Sequence, residues 1–349
     1  KFFIMSFMSL GIGLWFFYKL GIVSIHIPFG GGIYLGILII PAFSAEAYYL
    51  YVTDGYQNKL VVIDSAVVKN VKEIATENNP FDVISIEKNG NELIILSFAN
   101  NKGIWIIDPV TYKIEKKVPL PGKGDTPAGY FHLAYNPVYK KLYAVSRALK
   151  EVYVFDSIGW QHIKPIKTGD VPSGIAVSPD GNFVYITNMA SKDITVIKSE
   201  NDAVEKVIPF NGLPNVIAYS PDGKYIYVTD EENYKLFIIE SNSKKTIKEI
   251  LIGIAPRGIT VTPDGRYIYV TNLDSFSVTA IDANKMELIA NIPVSSLPWG
   301  ITSSPDSKRV YVCNYYENSI SVIDTSTNKE IERINGAVFP TKIAVSRGK

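Results

Sequence analysis

Short runs of apolar and β-branched residues, each bounded by turn residues, follow one another along most of the chain. Ile175–Ser178 and Ile194–Ile197 are examples, and a Pro-Asp-Gly turn follows the first of them. In that turn Pro fixes φ, Asp hydrogen-bonds its own backbone and Gly accepts a positive φ. Many short strands separated by such turns are typical of an all-β protein.

These runs repeat with a constant period. The segment Tyr185–Asn188 recurs every 42 residues as Tyr227–Asp230, Tyr269–Asn272 and Tyr311–Asn314, and further copies begin at Tyr51, Ile95 and Tyr143. A second segment, which begins at Pro172, recurs with the same period from Pro214, Pro256 and Pro298 and supplies the strand ahead of these four copies. Four short antiparallel strands in about 42 residues make one propeller blade. Seven copies therefore predict an all-β, seven-bladed β-propeller over residues 48–349.

The two motifs, recurring in phase, resemble the YVTN family of β-propellers, which includes archaeal surface-layer proteins and bacterial periplasmic propellers. The resemblance covers roughly residues 48–349 and implies an exported protein with a role in adhesion, envelope structure or assistance to another protein. Some related propellers bind a tetrapyrrole or nucleic acid, and some are lactonases. Two copies depart from the family pattern, Ile95–Phe98 and Tyr143–Ser146, so those blades either have individual functions or have drifted.

The two ends of the repeat region complete each other. The last first-strand motif, from Pro340, has no following YVTN segment, and the first such segment, at Tyr51, has no preceding first strand. We expect the C-terminal strand, residues 342–347, to be the innermost strand of the blade that begins at Tyr48. This pairing closes the ring and removes an open sheet edge.

The first 47 residues form a hydrophobic leader with a different pattern. Residues 2–45 are almost wholly apolar, and Lys19 and His26 are their only ionisable groups besides tyrosines. We expect a membrane or signal segment: one or two membrane-inserted helices interrupted near Pro28, or a signal peptide cut after the small residues Ala45–Ala47. A buried core helix is the alternative. The propeller is then extracytoplasmic, in the periplasm or at the cell surface, and anchored in the membrane if the leader stays.

Composition excludes several classes of function. The net charge is +1 and no block of like charge occurs, so we expect no nucleic-acid partner. Cys313 is the only cysteine, which excludes an internal disulfide, a CxxC metal pair and a CxxCH heme-attachment site. Three histidines leave little material for a catalytic metal centre, and no GxSxG, HExxH or P-loop motif is present.

The two residues after each motif proline are expected to converge on one mouth of the central tunnel, as are Phe131 and His132, which are aligned through Pro137 because their copy lacks the leading proline. They differ from blade to blade, whereas residues that served only the blade would look alike. A concave site with apolar walls and a few polar groups is the usual ligand site, and a water-filled rim of varied side chains is the alternative. We expect Trp299 and Arg257, from neighbouring blades, to lie side by side. The candidate binding residues are Phe81, Asp82, Phe131, His132, Asn215, Arg257, Trp299 and Lys342.

Two functions remain open on these grounds. The first is a non-enzymatic binding or assembly module, either an envelope protein or an accessory subunit with protein partners that include integral membrane subunits; no cofactor is then expected. The second is a periplasmic enzyme or tetrapyrrole carrier that uses the tunnel mouth. In that case His132 is an axial ligand or a general base oriented by Asp82 or Arg257. A rim histidine bonded to water is the plainest alternative.

Overall fold

The computed structural model describes the backbone of residues 13–17, 22–29 and 32–39. With side chains it describes residues 48–77, 79–99, 103–120 and 131–348, except that Phe131 is described through its backbone only. The chain divides into two compact units, Lys1–Ala47 and Tyr48–Lys349.

The described backbone of the first unit is β-structure. Strands β1 (Gly13–Phe17), β2 (Ile22–Phe29) and β3 (Gly32–Ile39) form an antiparallel sheet in the order β1-β2-β3. The expectation of helices is therefore wrong for these stretches, whose β-branched and aromatic residues favour strands. No helix in the described part of the chain is long and apolar enough to cross a membrane. The cleavage site at Ala45–Ala47 lies outside the described residues.

The second unit is a seven-bladed propeller, which confirms the predicted all-β propeller. Each blade is a four-stranded antiparallel sheet. From the inner strand outward, blade 1 consists of β31 (Pro340–Ser346), β4 (Tyr49–Asp54), β5 (Lys59–Asp64) and β6 (Lys69–Ala75), and blade 2 consists of β7 (Pro80–Lys88), β8 (Asn91–Phe98), β9 (Ile104–Ile107) and β10 (Ile114–Val118). Blade 3 consists of β11 (Phe131–Asn136), β12 (Lys141–Ser146), β13 (Glu151–Asp156) and β14 (His162–Lys167), and blade 4 consists of β15 (Pro172–Val177), β16 (Phe183–Asn188), β17 (Asp193–Lys198) and β18 (Ala203–Pro209). Blade 5 consists of β19 (Pro214–Tyr219), β20 (Tyr225–Asp230), β21 (Lys235–Glu240) and β22 (Thr246–Leu251). Blade 6 consists of β23 (Pro256–Val261), β24 (Tyr267–Asn272), β25 (Ser277–Asp282) and β26 (Glu287–Pro293), and blade 7 consists of β27 (Pro298–Ser303), β28 (Arg309–Asn314), β29 (Ser319–Asp324) and β30 (Lys329–Asn335).

The hydrophobic core lies between neighbouring blades. The tyrosine that opens a repeat segment points into this space: the cluster around Tyr227 of blade 5 includes Leu236 of the same blade and Val270 and Ile281 of blade 6. Because the second and third strands of each blade are buried on both faces, they are nearly continuous in apolar residues. This arrangement leaves the ring centre free for a tunnel.

The C-terminal strand closes the ring. In blade 1, β31 pairs antiparallel with β4, and it begins at Pro340, two residues earlier than the range 342–347 expected from sequence. A single carboxylate of blade 2 holds the end of the chain. Glu92 Oε2 accepts hydrogen bonds from Ser346 Oγ at 2.7 Å, Arg347 N at 2.9 Å and Gly348 N at 3.2 Å.

Candidate functional site

The tunnel mouth lies at the end of the blades where the loops enter the inner strands. A mouth cavity of about 340 Å³ is bordered by five of the candidate residues, Phe81, His132, Asn215, Arg257 and Trp299. A tunnel cavity of about 390 Å³ is lined by Asp82, His132 and Lys342. His132 borders both cavities and therefore lies where the mouth meets the tunnel. Phe131 opens β11, and its side chain is outside the description.

The third residue of the repeat segment fixes the backbone of the rim. Thr187 Oγ1 accepts the N–H of Gly174 at 2.8 Å and donates to the carbonyl of Asn215, on the next blade, at 2.6 Å. Thr271 donates in the same way to the carbonyl of Trp299 at 2.7 Å. Thr187 thus joins its own inner strand to the next blade, and Thr271 joins blade 6 to blade 7. Asn215 and Trp299 are held on hydrogen-bonded backbone, which suits a preorganised site.

The tunnel wall has two kinds of sector, set by the second residue after each motif proline and by the aligned residue in blade 3, which lacks that proline. Blades 6 and 7 have Gly258 and Gly300, where an added Cβ would lie 2.5 Å from a backbone oxygen of the following blade. Side chains are therefore excluded there. The three consecutive blades 1, 2 and 3 have Lys342, Asp82 and His132, so the ionisable groups of the tunnel are collected on one side.

Asp82 is held by backbone and faces His132. Its Oδ1 accepts the N–H of Val83 at 3.0 Å, and its Oδ2 accepts the N–H of Leu133 at 2.9 Å. Oδ2 lies 3.7 Å from Nδ1 of His132, which is longer than a hydrogen bond. The imidazole also packs edge-on against Phe81, with ring centroids 5.1 Å apart. Asp82 therefore faces Nδ1 of the ring, and Nε2 is the nitrogen that can bind a group in the cavity.

Burial has the largest influence on the protonation of both groups. It lowers the pKa of His132 below the ordinary 6.5; the contact with Asp82 opposes this, and Lys342 adds to it. Burial by itself raises the pKa of Asp82, but Lys342, His132 and the Leu133 N–H together outweigh it, and the pKa falls below the ordinary 3.8. At neutral pH the site therefore contains a carboxylate beside a neutral imidazole.

Arg257 lies across the mouth cavity and is bound by an acidic residue. Its Nη1 donates to Glu231 Oε2 at 3.0 Å and its Nη2 lies 2.9 Å from Oε1, while Asn215 Nδ2 also donates to Oε2 at 3.0 Å. The guanidinium carbon is 5.9 Å from the Trp299 ring centroid. Arg257 Nε is buried without a hydrogen-bond partner among the described residues. A buried donor left unpaired is costly, so an acceptor on a ligand would be stabilised there. Arg257 is therefore paired with Glu231, and the residue that faces the imidazole of His132 is Asp82.

Sequence reasoning missed a second set of mouth residues. The residue after each repeat segment lies on the turn between the second and third strands, which is at the same end of the blade as the mouth. Arg147, Met189 and Glu231 occupy this position and line the cavity. Tyr315 occupies it in blade 7 and packs on Trp299, with centroids 5.7 Å apart. The signal was the fixed position directly after each segment, combined with its varied chemistry.

Among the described residues, no cluster of side chains forms a metal site by itself. No group of three or more His, Cys, Asp and Glu residues suited to a metal ion occurs in the described part of the chain. The amide at the fourth position of a repeat segment bonds its own blade: Asn272 Nδ2 donates to Thr279 Oγ1 at 2.8 Å. Cys313 is fully buried, and burial raises the pKa of its thiol. These positions are structural.

Comparison with protein families relates part of the ring to heme proteins. Residues 178–304 match the family model described as the Cytochrome D1 heme domain. The matched stretch includes Asn215, Arg257 and Trp299 and excludes Asp82, His132 and Lys342. It covers less than half of the chain, so it is a similarity. No curated protein matches the chain.

Solved structures share the fold. Hydrazine synthase of Kuenenia stuttgartiensis is similar at 21% identity and a TM-score of 0.66, over 76% of this chain and 89% of that one. A functionally unknown protein from Desulfotomaculum acetoxidans is similar at 14% identity and 0.71, over 85% and 98%. The dihydro-heme d1 dehydrogenase NirN, solved in complex with DHE, is similar at 14% and 0.63, over 86% and 66%.

Two expectations from the sequence change with these comparisons. The protein is a seven-bladed propeller, but the matching family model is that of the Cytochrome D1 heme domain and not the YVTN repeat. The expectation that no cofactor binds is contradicted by the same model and by the NirN complex. The physical reason for the error is that the sequence contains no heme-attachment motif, whereas a tetrapyrrole held non-covalently needs none.

Proposed function

We propose that this propeller binds a heme-type tetrapyrrole at its tunnel mouth, where Nε2 of His132 would hold the metal. The observation that carries the proposal is the neutral imidazole of His132 at the junction of mouth and tunnel, with Asp82 on its other nitrogen. A metal-binding histidine commonly has a carboxylate or carbonyl at the nitrogen that does not bind the metal. The Cytochrome D1 match and the NirN complex support it.

The other mouth residues fit such a group. Phe81 and Trp299 give apolar walls to a cavity in the size range of small-molecule sites. Arg147 and Lys342 are cations without an ion-pair partner among the described residues, and they suit the carboxylates on the edge of a tetrapyrrole. The unpaired Nε of Arg257 is a further donor. A bound heme-type group would supply a redox-active metal.

Spectroscopic titration with ferric heme tests the role of His132. The purified wild-type chain is expected to shift the heme absorption bands at stoichiometric protein, because the imidazole binds iron. The His132→Ala variant is expected to lose that shift, and added imidazole to restore it. His162→Gln is the matched control, since His162 lies on β14, the outer strand of the same blade. Equal spectra for wild type and His132→Ala, or a shift lost equally in His162→Gln, would contradict the proposal.

We further propose that the propeller is extracytoplasmic, acts as a carrier or accessory subunit to protein partners, and is anchored by residues 2–45. The apolar leader supports this location. Carbonate extraction of membranes from the producing cells is expected to leave the full chain in the pellet. A soluble protein that begins at Tyr48 would show instead that the leader is cut off.

A further inference from the structure

The mouth face is divided by charge. At this face blades 5, 6, 7 and 1 present residues 231–234, 273–276, 315–318 and 55–58 and the loops 252–255, 294–297 and 336–339. These stretches contain four acidic residues and no Lys or Arg. The corresponding turns of blades 3 and 4 contain Arg147, Lys150 and Lys192, of which Lys150 pairs with Asp170 in the loop before blade 4. Glu231 and Glu232 are paired with Arg257 and Lys192. Asp274 and Glu317 form no ion pair with any residue that the structure describes.

Large apolar side chains are exposed on the same four blades. Tyr56 is 73% exposed, Leu251 68% and Tyr316 66%, and Tyr234, Ile254 and Phe276 are each more than a third exposed. Exposed apolar residues scattered singly need no explanation, whereas a cluster marks an interaction site. The acidic aromatic sector is defined here as Tyr56, Tyr234, Leu251, Ile254, Asp274, Phe276, Tyr316 and Glu317.

The sector is continuous from blade to blade. A contact connects each pair of consecutive blades in the sector. Between blades 5 and 6, Ile254 N donates to Ser275 Oγ at 2.7 Å, and between blades 6 and 7, Ser296 Oγ donates to Glu317 Oε1 at 3.3 Å. Between blades 7 and 1, the rings of Phe339 and Tyr56 are in contact, with centroids 5.4 Å apart. From Phe339, ring contacts continue through Tyr315 at 5.0 Å to Trp299 at 5.7 Å. The sector therefore reaches the mouth cavity without a break.

Two of its aromatic residues occupy unfavourable backbone positions. Tyr234 and Phe276 end their turns with φ of 55° and 49°, in the left-handed region that Asn tolerates and bulky residues rarely adopt. The same position is Asn58 in blade 1 and Asn318 in blade 7, with φ of 55° and 54°. Folding would be served better by Asn at all four. The left-handed φ recurs at Lys150 and Lys192 in blades 3 and 4, so it belongs to the turn itself, and among the described turns Tyr234 and Phe276 are the aromatic residues at this position.

We propose that the acidic aromatic sector docks a protein partner whose surface carries Lys or Arg around an apolar centre. Aromatic residues are enriched in the centres of protein interfaces, and unpaired carboxylates attract and orient a basic partner. Arg147 on blade 3, which has no ion-pair partner among the described residues, would disfavour the wrong orientation of such a partner. The bound partner would cover the face next to the tunnel mouth. This inference does not depend on the tetrapyrrole.

The test uses Phe276→Asn and Tyr234→Asn, which remove the aromatic rings while placing a favourable residue in the turn. Both are expected to keep or raise the unfolding midpoint. The probe is a fluorescent synthetic peptide of Lys, Leu and Trp, measured by anisotropy on the full chain, with a Glu-for-Lys peptide beside it. Each Asn variant, and Asp274→Asn with Glu317→Gln, is expected to weaken binding about tenfold. Ile158→Asn is the control, because Ile158 is 76% exposed on a turn at the opposite face.

Photo-crosslinking from position 276 in the producing cells then identifies the occupant. The expected product is a protein segment rich in Lys or Arg and apolar residues, absent when the crosslinker is at position 158. Equal peptide binding by the Asn variants, the Ile158→Asn control and the wild type would overturn the proposal. Equal affinity for the Glu peptide, or crosslinking to lipid or to a second copy of this chain, would also overturn it. Heme titration of the same variants is expected to be unchanged, so a failure of the docking proposal can be distinguished from a failure of the tetrapyrrole proposal.

Discussion

Deletion of residues 341–349 is expected to unfold the propeller at temperatures where the full chain is folded. The deletion removes almost all of β31, including Ile343, which is 6% exposed and packs with Val52 and Ile320. Burial of one such side chain contributes about 1.5–3 kcal/mol. The loss also bares the edge of β4, which is buried on both faces. Because an ordinary domain is stable by only about 5–15 kcal/mol, the loss of a whole inner strand removes a large fraction of its free energy of unfolding.

Thermal unfolding of both chains, followed by circular dichroism, measures this effect. Glu92→Gln is the graded control, since it keeps β31 and weakens only the carboxylate that receives Ser346, Arg347 and Gly348. Hydrogen bonds to a charged group contribute about 1.5–3 kcal/mol each, but two of these donors lie at the exposed chain end, so a smaller fall in the midpoint is expected. An unchanged midpoint after the deletion would contradict closure of the ring by β31.

The fold was predictable because its information is local and repeated. Each copy of the Tyr185–Asn188 pattern provides a buried strand, and each Pro-Asp-Gly turn reverses the chain direction just ahead of such a strand. The spacing of 42 residues then counts the blades. The leader gave no such repetition. Its apolar residues suit a helix or a strand equally, and the stretches whose backbone is described are strands.

The site was predictable by position and not by pairing. Equivalent positions in a repeat lead to equivalent places on the ring, so the residues after each motif proline could be assigned to the mouth. Which of them meet depends on side-chain reach across blades. Arg257 is bound to Glu231, which lies on a turn that sequence reasoning overlooked, and Lys342 acts on Asp82 although they are 260 positions apart along the chain. The cofactor had no local motif at all.

The largest change in tetrapyrrole affinity short of removing His132 is expected from Asp82→Asn. Asn can still accept a hydrogen bond from Leu133, but it lacks the charge that faces Nδ1 of His132. Loss of such a positioning carboxylate typically costs about 10–100-fold in metal affinity. In His132→Ala, the Asp82→Asn change is expected to have no further effect, because Asp82 acts through the imidazole.

The pH dependence of heme binding separates this role from a merely structural one. Only the neutral imidazole binds metal, so affinity is expected to fall as the pH drops through the pKa of His132, which is below 6.5. Asp82 raises that pKa, so Asp82→Asn is expected to move the acid limb to lower pH while affinity at neutral pH falls. Lys342 lowers it, so Lys342→Met should move the limb to higher pH. Titrations of the wild type and both variants between pH 4 and 8 measure the shifts. A common acid limb in all three proteins would mean that neither Asp82 nor Lys342 acts on His132.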